Sequence, residues 1–418
     1  ANAGIIQVIA AGGSLPIGTA NGTFSFSAAG GPSGGNGGTV DIWGFSTNVS
    51  VASTTNLNIS AKAKGNGGKL DLEADNLTFT GTGTSITSNG KGSAGNGGQI
   101  YINAATNFTV GTGAGAVKLT ANGAGTGNGG TIQVGSGSTL TLTGADVIAK
   151  AGATGNGGQI YVGGLITIKG TLTANGGTTK GNGGVIQFEG DFPNGYSYDP
   201  GPVTVTGAAA HLNANAPGSS GGNGGTITIN SNSNLNIGST SGDLLLSAIG
   251  PSAGAGNGGT VTINDSSANV TIAGASLLTT AGTSGNGDGG NVTVNGSVIT
   301  LTGTLSADGA GSGNGGNISL IAASPIDLSN TQISAIAGTS GSNPNGQGGT
   351  VTINQAKGTI DPTHSIQGIN VPMIIKVDGG AALGTGDSDG SISLNGVTCQ
   401  QWKTVAATYP RVGWDCIN

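Results

Sequence analysis

Residues able to do chemistry are few in this sequence, and they do not gather. Among 418 residues there are 12 Lys or Arg, 18 Asp or Glu, two His and two Cys. Glycoside hydrolysis needs two carboxylates a few ångströms apart, and Asp41 stacked on Asp71 is the nearest approach to such a pair. Elimination on an acidic sugar needs a Lys or Arg base, and the single Arg is Arg411, close to the C-terminal end. His211 and His364 are not spaced as metal ligands. The recurring Gly-Asn-Gly-Gly segments lack the Lys-Ser/Thr pair and following helix of a phosphate-binding loop. The expectation is a protein with no catalytic residue, metal or cofactor, and not an enzyme.

What remains is the chemistry of binding and cross-linking. Asp191-Phe192-Pro193-Asn194-Gly195-Tyr196-Ser197-Tyr198-Asp199-Pro200 is an aromatic loop in a chain that is only 4% aromatic. Phe192, Tyr196 and Tyr198 are candidates for surface binding of a sugar or protein; the alternative is a loop packed on its neighbouring strand. Thr226/Thr228, Thr260/Thr262, Asn291/Thr293, Asn317/Ser319 and Thr350/Thr352 form ranks able to order water on ice. The plainer reading is that Thr is a favoured solvent-facing strand residue. Cys399 and Cys416 share a short segment with Trp402, Tyr409 and Trp414. A disulfide between them implies an oxidising, extracellular setting; the alternative is two unrelated buried thiols.

The elements that position these groups follow from composition and repeat. Gly accounts for 88 residues, but without the every-third-residue period of collagen. Gly, Ser, Thr and Asn are poor helix formers, and abundant Val, Ile and Thr argue against disorder. A unit of about 32 residues recurs, introduced by Gly-Asn-Gly-Gly. Its first apolar positions are Val40, Leu70, Ile100, Ile132, Ile160, Ile186, Ile227, Val261, Val292, Ile318, Val351 and Ile392. Two residues after each stand Ile42, Leu72, Ile102, Val134, Val162, Phe188, Ile229, Ile263, Val294, Leu320, Ile353 and Leu394. The residues between are polar or Tyr, so each pair marks a strand with one buried face. Two shorter strands follow in each unit, as at Leu77-Thr78-Phe79 and Ser85-Ile86-Thr87.

A unit this small cannot bury a core alone and must stack on its neighbours. With equivalent strands about 4.8 Å apart, the rod is on the order of 60 Å long. The predicted fold is all-β: a right-handed parallel β-helix of about twelve three-stranded coils, with a small disulfide-linked C-terminal cap. Residues 1–35 form an N-terminal partial coil, 36–397 the repeats and 398–418 the cap, with helix allowed only near Gln400–Ala407. Three residues before each first strand comes Asn36, Asn66, Asn96, Asn128, Asn156, Asn182, Asn223, Asn257, Asp288, Asn314, Gln347 or Ser388. In register these predict a column of stacked amides, with flanking glycines free to take positive φ.

The Gly-Asn-Gly-Gly-x-Val-x-Ile pattern, which covers nearly all of residues 36–395, resembles the β-helix repeats of filamentous-haemagglutinin-like bacterial adhesins. That resemblance implies a secreted surface adhesin or fibre. The opening Ala1-Asn2-Ala3 suits a mature secreted product, and no apolar run is long enough to span a membrane. A net charge of −6 without a basic stripe excludes nucleic acid as a partner.

Both ends carry strands apolar on two faces: Ile5, Ile6, Val8 and Ile9 at one end, Val371, Met373, Ile374 and Ile375 near the other. Such strands are normally covered on both faces. The expected function is therefore a subunit of an extracellular fibre that assembles head-to-tail by donating its N-terminal strand, with adhesion to surface glycans or other cells as an added role. The alternatives are an isolated secreted adhesin and an ice-binding protein.

Overall fold

A computed structural model describes residues 2–18, 24–51, 55–80, 83–110, 117–188, 192, 195–198, 201–206, 210–238, 244–282, 286–324, 326–328, 331–338, 346–355, 374–376, 390–394, 397–404 and 411–417. For Phe24, Ser266, Leu394 and residues 374–376, 397–404 and 411–417 the description covers the backbone alone. Among the described residues there is no helix. The strand Thr39–Val51 pairs in parallel with Lys69–Phe79, which pairs with Gln99–Val110. The same register runs on through Thr131–Ile148, Gln159–Thr173, Val185–Phe188 and Thr226–Asn230. It continues through Thr260–Leu278, Asn291–Ser306, Asn317–Ala322, Thr350–Gln355 and Ser391–Leu394. Shorter strands form parallel columns beside it, such as Phe24–Ser27, Thr55–Asn58, Thr84–Thr87 and Val117–Thr120. The chain is a parallel β-solenoid.

Period-2 alternation sets the core. Apart from Leu394, every apolar repeat position named above is at most 2% exposed. Each such side chain contributes about 1.5–3 kcal/mol when taken out of water, and together they make one continuous cluster along the rod.

The corner asparagines also stack, but by a different bond from the one expected. Asn66 N donates to Asn36 Oδ1 at 2.8 Å, Asn96 N to Asn66 Oδ1 at 2.9 Å and Asn128 N to Asn96 Oδ1 at 2.8 Å. The chain of bonds continues through Asn156, Asn182, Asn223, Asn257, Asp288 and Asn314 to Gln347 N. Asn2 Oδ1 opens it by accepting from Asn36 N at 3.0 Å. The corner N–H lacks a strand partner and needs an acceptor; the side-chain oxygen of the previous coil supplies one. Amide-on-amide stacking occurs elsewhere, at Asn48, Asn76 and Asn107, where Nδ2 donates to the preceding Oδ1 at 2.8 and 3.0 Å. Ser388 lies outside the described residues.

Close approach, more than positive φ, explains the paired glycines after each corner residue. A Cβ on Gly67 would stand 2.0 Å from Ser88 O, and one on Gly68 2.0 Å from Gly38 O. Neither has a positive φ, although Gly65 just before them does.

At the N-terminal end, the strand Ile5–Ile17 is the first rung of its own solenoid rather than a free arm, paired from Ile5↔Thr39 to Ile17↔Val51. Ile6 and Val8 pack on the core, whereas Ile5 and Ile9 are 73% and 57% exposed. At the other end, Ile374 and Ile375 fall in the strand Ile374–Lys376, which pairs with Thr331–Ser334; Val371 and Met373 lie outside the described residues.

The helix allowed near Gln400–Ala407 is overturned as far as Thr404; residues 405–407 lie outside the described residues. Val397–Thr404 is a strand, antiparallel to both Ser391–Leu394 and Arg411–Ile417. The last rung presents unpaired backbone groups that a β-hairpin can satisfy and a helix cannot. The hairpin sets Cys399 opposite Cys416 in register; the bridge itself involves side chains outside the described set.

Candidate binding cleft on the outer face

Alternation turns a second set of residues outward on every rung. One outward column runs Asp41, Asp71, Tyr101, Gln133, Tyr161, and the next runs Trp43, Glu73, Asn103, Gly135, Gly163. The second column loses its side chains at Gly135 and Gly163, and there the aromatic loop lies down. A Cβ on Gly135 would meet Tyr198 Cε2 at 2.3 Å and Phe192 Cε2 at 2.7 Å. Phe192 packs edge-on to Tyr198 with ring centroids 5.2 Å apart, and lies 6.4 Å from Tyr161. These three rings form a small apolar cluster outside the main core.

The loop is therefore not a free aromatic surface. Phe192 is 5% exposed and Tyr198 8%, so Phe192 anchors the loop, and Tyr196 is the ring left open to a ligand. Tyr198 Oη donates to Asn103 Oδ1 at 3.2 Å, and Gln133 Nε2 donates to the same oxygen at 3.1 Å. Tyr196 Oη donates to Glu73 Oε1. Burial pushes both tyrosine hydroxyls well above the ordinary range, and the Glu73 carboxylate adds to it, for Tyr196 also through the hydrogen bond. Both stay protonated as donors.

A second aromatic pair stands across from the loop's rings on the first full rung. Between Gly44 and Asn48 the pairing slips, and Ser46 takes a positive φ of 49°. Thr47 Oγ1 steadies this bulge by donating to Phe45 O at 2.9 Å. A bulge re-aims a side chain; here Phe45 is 58% exposed, its ring edge-on to Trp43 at 6.4 Å. Left-handed backbone at a non-glycine residue costs about 1–3 kcal/mol and recurs at ligand sites.

Between Trp43 and Phe45 on one side and Tyr196 and Tyr198 on the other lies a cleft of about 390 Å³, with Glu73, Asp75 and Asn103 among its lining. The two tyrosine rings are stacked, 6.3 Å apart and 9° from parallel. Trp43 Nε1 and Asn103 Nδ2 are buried donors without a protein partner. The cleft thus offers apolar ring faces and carboxylate acceptors.

No protein-family model, curated protein or solved structure matches this chain. Its site is read from its own geometry.

Asp41 and Asp71 do stack in register, but Asp71 is tied to Lys69 by a 2.8 Å ion pair, and Lys69 lies 5.5 Å over the Tyr101 ring. Among the described residues no three His, Cys, Asp or Glu gather as metal ligands. The Thr ranks also stack in register, Thr226 on Thr260 and Thr228 on Thr262, then on Asn291 and Thr293. Trp43, Phe45, Glu73, Asp75 and Asn103 do not stand out in the sequence as site residues. The one signal there is the outward column itself, in which two glycines interrupt a run of large side chains at the footprint of the aromatic loop.

Proposed function

We propose that the protein is an extracellular adhesin of the filamentous-haemagglutinin-like kind, a right-handed rod of twelve three-stranded coils that holds a neutral sugar in its outer-face cleft. The supporting observation is the cleft's composition. Tyr196 and Phe45 offer ring faces for the apolar side of a sugar, and Glu73 and Asp75 accept from its hydroxyls. Clefts of a few hundred Å³ with aromatic walls and a few convergent polar groups are the usual form of small-ligand sites. The solenoid makes that arrangement rigid, because every contributing residue but those on the loop sits on a paired rung.

The test is an array of immobilised neutral oligosaccharides, followed by titration of any ligand found. Phe45 is mostly exposed, so Phe45→Ala removes one wall without touching the core and is expected to weaken binding roughly tenfold. Binding unchanged by Phe45→Ala and Tyr196→Ala together would refute the assignment of this cleft.

A second reading, the head-to-tail fibre, is favoured by one feature: the outer edge of the first rung carries exposed Ile5 and Ile9. Rung-on-rung addition at that edge would cover them, and such a contact propagates. Electron microscopy of concentrated protein distinguishes the two, since an adhesin rod of this kind stays single.

A further inference from the structure

We infer that a lysine-lined groove on the third strand column is a second binding site, one for a linear acidic polysaccharide. It does not depend on the neutral-sugar reading of the aromatic cleft. The groove has a volume of about 460 Å³ and runs over the strands Thr55–Asn58 and Thr84–Thr87 and the corners that follow them. In-register pairing sets Asn58 beside Thr87, Ser60 bonds Asn89, and Lys62 and Lys91 line the groove at the corners that follow. Two matching rows of polar side chains result, about 4.8 Å apart, each followed by a lysine in the groove's lining.

The floor of the groove is pre-set. Asn58 Oδ1 accepts from Ser60 N at 3.1 Å and from Thr87 Oγ1 at 3.2 Å, and Ser60 Oγ accepts from Asn89 N at 3.0 Å. A third lysine is positioned beside it. The stem of Lys64 lies against two glycines of the neighbouring coils: a Cβ on Gly34 would meet Lys64 Cγ at 2.6 Å, and one on Gly92 would meet Lys64 Cβ at 2.8 Å. Side chains there would displace it.

These charges are uncompensated. Lys62, Lys64 and Lys91 are exposed, and the one ion pair among the described residues, Lys69 with Asp71, lies on another face. No Asp or Glu occurs from Ile42 to Leu70 or from Asn76 to Ala145. The opposite holds farther along the rod: from Gly181 to Ala356 there is no Lys or Arg, only acidic charge. A polyanion is drawn to the first coils and repelled from the later ones.

Charge density selects the kind of polyanion. Duplex DNA carries one charge per roughly 1.7 Å, whereas this groove offers one or two ammonium groups per rung of about 4.8 Å. A chain with one carboxylate per sugar ring matches that spacing far better. Its hydroxyls find Asn58, Ser60, Thr87 and Asn89 beside the lysines.

The experiment is titration of the whole chain with polygalacturonate at low salt, with dextran and duplex DNA as comparison probes. Polygalacturonate is expected to bind, to weaken as salt rises, and to lose roughly tenfold in affinity in Lys62→Glu/Lys91→Glu, while dextran stays outside the groove. Lys169→Glu, an exposed lysine on a different strand column, is expected to bind as the unaltered protein does. Failure to bind polygalacturonate, equal loss in Lys169→Glu and the double variant, or DNA binding as tight as polygalacturonate would each overturn the proposal. The substituted lysines are exposed, and an unchanged melting temperature shows that the groove alone was altered.

Discussion

The hydroxyl of Tyr196 donates a hydrogen bond to Glu73, a residue 123 positions earlier in the chain. Contacts in a solenoid are otherwise between adjacent coils, as in the corner ladder, where Asn66 bonds Asn36 across 30 positions. The aromatic loop breaks that rule by lying back along the rod over Gly135 and Asn103 to reach the coil that holds Glu73. It is a clasp across several coils, and it builds one wall of the cleft at the coils it clasps.

Alkali is expected to release this clasp. Burial first, and then Glu73, raises the Tyr196 and Tyr198 hydroxyls above their ordinary value, so the folded loop favours their protonated forms. That contribution is complete below about pH 10, the unfolded tyrosine value, and is lost as pH rises through the higher folded values. In an ultraviolet titration, Tyr196 and Tyr198 are expected to ionise at higher pH in the folded protein than in the unfolded chain. Tyr196→Phe, which removes the hydrogen bond, is expected to speed proteolysis of the loop roughly three- to tenfold at neutral pH. A loop equally resistant in Tyr196→Phe would show that the bond to Glu73 does not hold it.

The corner ladder makes a prediction that separates its two possible bonds. Only Oδ1 of each asparagine is used, and Asp288 takes a place in the column with the same atom. Asn128→Asp is therefore expected to be nearly neutral. Asn128→Ala strands the Asn156 N–H and is expected to cost about 1–3 kcal/mol, read as a shift in the denaturation midpoint. Equal losses for both variants would mean that the Nδ2 group matters and the ladder is of the amide-on-amide kind.

Glycines differ sharply in what they tolerate. Gly67→Ala pushes a methyl group to 2.0 Å from Ser88 O and 2.5 Å from Gly98 N. Both are backbone atoms locked in neighbouring rungs, so relief requires the coils to separate. The expected loss exceeds about 3 kcal/mol, in the tail of single-substitution effects. At Gly4 a Cβ would meet nothing within 4 Å, and Gly4→Ala is expected to change the melting temperature little.

The architecture is legible because the repeat states its own period. Val40 and Ile42, Val261 and Ile263, and their equivalents alternate with polar residues, and that pattern alone assigns a face. The site is less legible because its parts come from different coils. The composition of Phe192, Tyr196 and Tyr198 marks the loop, but its resting place depends on Gly135 lacking a side chain, a fact visible only once the coils are in register. Phe45 is hidden for another reason: the bulge at Ser46 interrupts the alternation that makes the rest readable. The tail misleads because Gln400–Ala407 has no strong strand pattern of its own. The conformation of Val397–Thr404 is set by the open edge of Ser391–Leu394.

That edge also frames the final prediction. Cys399 and Cys416 are directly opposed on antiparallel strands, where Cα atoms stand about 4.5–5.5 Å apart. Disulfides need roughly 4.4–6.8 Å, so the backbone register suits a bridge without distortion. Closing a loop of this size contributes on the order of 3 kcal/mol, and here it would lock the hairpin that covers the last rung. Native protein is expected to take up alkylating reagent only after reduction, read by intact mass. Cys399→Ser/Cys416→Ser is expected to lose hydrogen-exchange protection in Val397–Thr404 and Arg411–Ile417, while the coils before Ser391 stay protected, since each solenoid rung is stabilised mainly by its neighbours. Two freely alkylated thiols in the unreduced protein would refute the bridge, and with it the oxidising, extracellular setting on which the adhesin proposal draws.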